Sequence, residues 1–186
     1  MEKLKTYNQF INESVDLNTF EKRNGKYYPK DKEELKSLMN ALITKRGNKG
    51  DFNDIDTSMI TDMQSLFEDC PDFNGNISQW DVSNVENTYC MFANAKSFNQ
   101  PIGNWNMSAL QSANYMFLNA ESFNQDISGW DVSHVEEMEY MFKGASSFNQ
   151  DLSSWNMSMV NKNEGIFWDC PIEEQFKPYF ENVDEI

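Results

Sequence analysis

Residues 91–108 read MFANAKSFNQPIGNWNMS, residues 116–133 read MFLNAESFNQDISGWDVS, and residues 141–158 read MFKGASSFNQDLSSWNMS. Near-copies at a constant step of 25 residues make the period the first property to interpret, because it decides the fold. Trp80, Trp105, Trp130 and Trp155 keep the step, as do Phe67, Phe92, Phe117, Phe142 and Phe167, without an insertion. The pairs Phe73-Asn74, Phe98-Asn99, Phe123-Asn124 and Phe148-Asn149 hold the same register. Five units run from Asp51 to about Gln175. The first has Ile55 in place of Trp and the last has Pro171 and Ile172 in place of Phe-Asn, the degeneracy expected of end units.

Each unit reads as a strand followed by a helix. In Ile77–Ser83, Trp80 and Val82 fall on one face of an extended segment and Gln79, Asp81 and Ser83 on the other. Ser83-Asn84-Val85-Glu86, Ser108-Ala109-Leu110-Gln111 and Ser133-His134-Val135-Glu136 have the form of capping boxes. Val85, Thr88, Met91, Phe92 and Ala95 then recur at helical spacing. The expected fold is an α/β repeat solenoid, leucine-rich-repeat-like, of five 25-residue strand-helix units forming a short parallel sheet with an N-terminal capping helix. The Asn residues of the Phe-Asn pairs form a column expected to be structural, and Cys70 and Cys170, four units apart, are expected to be free thiols.

Outward from the repeats, charge divides the chain of 186 residues. Residues 1–50 hold 11 basic and 7 acidic side chains, a net of +4, whereas residues 51–186 hold 4 and 23, a net of −19. The overall charge of −15 argues against direct binding to nucleic acid and for a basic protein partner. No apolar run is long enough for a spanning helix, so no membrane is expected. Residues 31–46 carry Leu35, Leu38, Met39, Leu42 and Ile43 as a helical stripe ending at Gly47. The organisation expected is an amphipathic segment at 1–13, an N-terminal cap at 14–50, the repeats at 51–175, and a C-terminal cap with an acidic tail at 176–186.

The three quoted phrases resemble the 25-residue repeat of BspA-like leucine-rich-repeat surface proteins. The resemblance covers residues 27–170, since Tyr27-Tyr28-Pro29-Lys30-Asp31-Lys32-Glu33-Glu34-Leu35 resembles the segment preceding such repeats. It implies a binding or adhesion module. Residues 1–14 are similar to the capsid-targeting peptide of internal head proteins of T-even-like tailed phages, through Lys5, Thr6, Tyr7, Phe10 and Ile11. That similarity implies processing between Glu13 and Ser14. A secretory h-region is not apparent in MEKLKTYNQFINES, so the expected location is the host cytoplasm or a phage virion interior, with the cell surface as the alternative.

No nucleophile-base, HExxH or phosphate-cradling motif is present, and no metal or other cofactor is expected. The candidate binding residues are the outward column Asp56, Asp81, Asn106, Asp131 and Asn156, its neighbour Asp54, and Tyr115 and Tyr140, expected to be exposed on the helix side. The function expected is a non-enzymatic, phage-encoded protein-binding solenoid, packaged in the head and antagonising a basic or nucleic-acid-binding host protein of a defence system. A surface adhesion module is the alternative, and a hydrolase using Asp126 and Asp131 is the third reading.

Overall fold

The structure, a computed structural model, describes residues 15–180. Asn24 and Gly25 both adopt positive φ, 50° and 84°, which is the type I′ geometry that closes a two-residue hairpin. They join β1 (Lys22–Arg23) antiparallel to β2 (Lys26–Tyr27). Tyr27 carries the hairpin onto the repeats, donating its N–H to the Asp54 carbonyl and accepting from the Asp56 N–H, each at 2.8 Å.

α1 spans Lys32–Arg46. Asp31 caps it by accepting from the Glu34 N–H at 2.8 Å, and Glu34 reaches back to the Lys30 N–H. Gly47, at φ 76°, ends it with a bond to the Ile43 carbonyl. The expected apolar stripe is the buried face, and Phe52 lies wholly buried in the same core.

The strand-helix solenoid expected from the repeats does not form. Among the described residues there is one α-helix, α1, and one sheet, the two-stranded β1–β2 pair. What the 25-residue units form instead is a succession of turns. In one unit the N–H groups of Trp80, Val85, Met91, Ala93, Ala95 and Phe98 each bond to the carbonyl three residues back at 2.9–3.1 Å.

The reason lies in the backbone. Cys90, Asn94, Tyr115, Asn119, Tyr140 and Gly144 all have φ between 53° and 69°. A right-handed helix requires negative φ throughout, so two left-handed residues per unit prohibit it. The alternation turns every second N–H along the stack, while those between bond back along the chain. Thr88, Cys90, Phe92 and Asn94 donate to the carbonyls of Ser112, Asn114, Met116 and Leu118 at 2.7–3.0 Å, and the pattern recurs from layer to layer. Parallel pairing is limited to isolated bridges, such as Asp62–Asn87–Ser112–Glu137–Lys162.

The capping boxes are likewise absent. Ser83 and Ser133 donate their hydroxyls to Asp81 and Asp131 at 2.6 Å, and their N–H groups bond to the same carboxylate oxygens. These are Asx turns, which satisfy the local backbone without starting a helix.

Side chains complete the layers. Phe67, Phe92, Phe117, Phe142 and Phe167 stack with ring centroids 5.4–5.7 Å apart. A second file, Phe73, Phe98, Phe123 and Phe148, is spaced at 5.8–6.0 Å. The Oδ1 of Asn99 accepts from the Asn124 N–H and the Gln125 amide, at 3.0 and 2.9 Å, and Asn74 and Asn124 do the same for the units after them. That column is structural.

The two ends of the stack differ. At the first layer, the Lys36 ammonium bonds to the Ser65 carbonyl at 3.1 Å and Lys32 pairs with Asp62 at 2.6 Å. At the last, the N–H groups of Asn163, Gly165, Phe167 and Asp169 find no acceptor among the described residues.

Candidate partner-binding surface

Asp81, Asn106, Asp131 and Asn156 are exposed while Trp80, Val82, Trp105 and Met107 beside them are buried, and Asp56 is half-buried. Each of the five side chains accepts the N–H of the serine two residues on, so the row belongs first to the turns. The serine hydroxyl, then the serine N–H, hold Asp81 and Asp131 below the usual carboxylate range. The same pair of bonds lowers Asp126 and Asp151.

Asp54 is placed apart from that row. Both its oxygens meet the Arg46 guanidinium at 2.7 Å, and this bidentate pair lowers its pKa and raises that of Arg46. Its carboxylate joins α1 to the first layer.

Asp126 and Asp131 do not form an acid and base pair. Each is held ionised by its own serine, so neither is protonated at neutral pH to act on a leaving group. The hydrolase reading is corrected on that ground. With no strand-helix solenoid present, the expected repeat-based binding module, its phage antagonist role and its adhesin alternative lose their architecture. Glu13 and Ser14, the processing residues, lie outside the described residues, as does the tail at 181–186.

Tyr115 and Tyr140 lie on another line and are half-buried, where exposure was expected. They occupy left-handed positions, and their rings join one file with Tyr89 and Trp168, which do not. Tyr89 meets Tyr115 edge-on at 5.6 Å, Tyr115 stacks on Tyr140 at 5.4 Å, and Tyr140 lies 6.3 Å from Trp168. The Tyr140 hydroxyl donates to Glu164, which pushes its pKa up to about 12. Beside the file, Gln64, Asn87, Tyr89, Ser112 and Glu137 line an open groove of about 340 Å³. Within it Glu137 pairs with Lys162 and accepts from Asn114 at 2.8 Å, and Lys162 is the main cause of its lowered pKa.

Sequence reasoning missed Tyr89, Trp168 and Lys143 as members of this line. Tyr89 sits one place out of register with Tyr115, and Trp168 three places beyond Gly165, so the period alone conceals them. Their signal is exposure: Trp168 is 61% and Tyr89 37% exposed, against 5% or less for the four repeat tryptophans.

Among the described residues no group of three or more His, Cys, Asp or Glu is placed to hold a metal ion. No described helix is long and apolar enough to cross a membrane. Cys70, Cys90 and Cys170 are free, and burial pushes the Cys70 and Cys90 thiols up to about 12 and about 11.

No curated protein matches the chain, and no solved structure matches it. The family described as "Mycoplasma protein of unknown function, DUF285" matches at residues 34–136 and again at 114–176. This match replaces the BspA-like leucine-rich-repeat assignment, whose strand-helix unit the fold lacks. With well over half of its length matched, the chain belongs to the DUF285 family.

Proposed function

We propose that this protein works by associating with a basic protein, with no catalysis and no direct contact to nucleic acid. The observation that carries the reading is the set of exposed aspartates Asp81, Asp126, Asp131 and Asp151, all held below the usual carboxylate range by their serines. They stay ionised at every physiological pH, on a chain of net charge −15. A surface of one sign speeds encounter with the opposite sign and repels phosphate backbones. A cytoplasmic location belongs to the same proposal, supported by three cysteines that stand free.

The test is calorimetric titration against a panel of basic proteins, size-matched acidic proteins and duplex DNA at low and moderate salt. Binding confined to basic members and weakening as salt rises supports the proposal. Binding indifferent to the charge of the partner, or binding to DNA, overturns it.

A further inference from the structure

The file of rings from Tyr89 to Trp168 is placed unlike the other aromatic files. The phenylalanine columns are buried up to half-buried Phe167 in the last layer, whereas this one opens to solvent at both ends, at Tyr89 and at Trp168. Exposed aromatic faces carry negative potential, which attracts ammonium and guanidinium groups.

The file already holds one cation. The Lys143 ammonium lies 4.2 Å from the centroid of Trp168 and 5.2 Å from that of Tyr140. Carboxylates attend the remaining rings. The Tyr140 hydroxyl donates to Glu164, and, behind burial at Tyr115 and Cys90 at Tyr89, Glu139 and Glu68 also push those phenols up. Aromatic faces bordered by anions favour a cationic side chain over a neutral apolar one, because both the ring quadrupole and the carboxylates attract it.

The spacing narrows the choice further. Successive rings are 5.4–6.3 Å apart. In an extended chain, residues i and i+2 share a face about 6.6 Å apart. We infer that the Tyr89–Tyr115–Tyr140–Trp168 file is the seat for an extended segment of the protein partner bearing Lys or Arg at alternate positions. This inference rests on the proposal that the partner is basic. Lys143 then occupies part of the seat and competes with the incoming side chains.

The probes are two octapeptides of equal charge, Arg and Ser alternating in one and four Arg followed by four Ser in the other. Trp168 reports on binding, since the other four tryptophans are buried. The alternating peptide should bind more tightly and change the Trp168 emission. Lys143→Gln should tighten its binding about two- to fivefold, the size of an exposed cation–π contact. Lys96→Gln removes the same charge from a residue paired with Glu121, which touches no ring of the file, and should give a smaller change. Trp168→Leu, at an exposed position, should weaken binding by a similar two- to fivefold.

If both peptides bind equally, Lys143→Gln and Lys96→Gln act alike and the Trp168 emission is unmoved, the file is not the seat, while the basic-partner proposal stands. If neither peptide binds, both fail.

Discussion

The indole N–H of Trp130 donates to the carbonyl of Ile102, 28 residues earlier, at 3.1 Å. Trp80, Trp105 and Trp155 repeat the bond onto Phe52, Ile77 and Ile127 at 3.0–3.4 Å. The bond satisfies the buried indole on a carbonyl that also accepts the backbone N–H three residues on, so each tryptophan is both filler and bolt between consecutive layers.

Removing Trp130 from the middle of the stack should therefore cost twice. Trp130→Ala leaves a cavity and removes one of the two bonds on the Ile102 carbonyl, which keeps the Trp105 N–H, with an expected loss of about 3–5 kcal/mol in urea denaturation. Trp130→Phe keeps most of the volume and loses one bond to a carbonyl that retains another, so about 0.5–1.5 kcal/mol is expected. An alanine variant losing under about 1 kcal/mol would mean that the indole contributes neither.

Stability should fall on the acid side. The folded pKa values of Asp81, Asp126, Asp131 and Asp151 lie below those of the unfolded chain. The stability they contribute is full above the unfolded value near about 3.9 and is lost as pH falls through the folded values. Asp81→Asn with Asp131→Asn should flatten that limb, since Asn106 and Asn156 already accept the same serine N–H. Each group is solvent-exposed, so the individual contributions are screened and small. Thermal midpoints across pH 2–6, with an unchanged acid limb as the adverse result, decide the matter.

Gly165 should not accept a side chain. Its φ is 58°, and a Cβ there would come within 2.5 Å of the Tyr140 ring. Gly165→Ala should cost about 1–3 kcal/mol, combining left-handed strain with a displaced ring. Altered tyrosine fluorescence should accompany the loss, and a neutral substitution would show that this turn tolerates other conformations.

Thiol labelling under native conditions should be ordered by burial. Cys70, at about 12, should react slowest, Cys90, at about 11, should follow, and half-buried Cys170 should lead. Mass spectrometry of timed samples after maleimide treatment gives the order, and Cys70 leading would contradict it.

Burial was legible in the sequence and the backbone was not. Trp80 and Val82 point inward and Asp81 outward because alternation of side chains needs only an extended path, which turns supply as well as strands do. α1 was readable from one stripe, one Asp cap and one terminal Gly. The same logic failed at Val85–Ala95, where Thr88, Met91, Phe92 and Ala95 are buried by successive three-residue turns that mimic helical spacing. A signal against the helix was present in one column: Asp69, Asn94, Asn119, Gly144 and Asp169 are the residue types that tolerate left-handed φ, and all five adopt it. The other left-handed column, Ser65, Cys90, Tyr115, Tyr140 and Gly165, gives such a warning only at Gly165, because Cys90, Tyr115 and Tyr140 are not residue types that favour that conformation. The acidic row was visible in sequence, but its engagement with serines two residues on turns on local hydrogen bonds that charge counting ignores. The ring file was invisible because Tyr89 and Trp168 break the register.

The N–H groups of Asn163, Gly165, Phe167 and Asp169, which find no acceptor among the described residues, give the stack a direction. In this lane every amide points toward the later layer, so its bond dipoles add, with the negative pole at the first layer, beside which Lys32 and Lys36 of α1 are anchored, and the positive pole at the final turn. Two copies meeting final turn to final turn would set donor against donor, and the carbonyl pole that fits is guarded by α1. The last described layer, though it resembles a sticky strand edge, is thus barred by polarity from pairing with the same layer of its own twin.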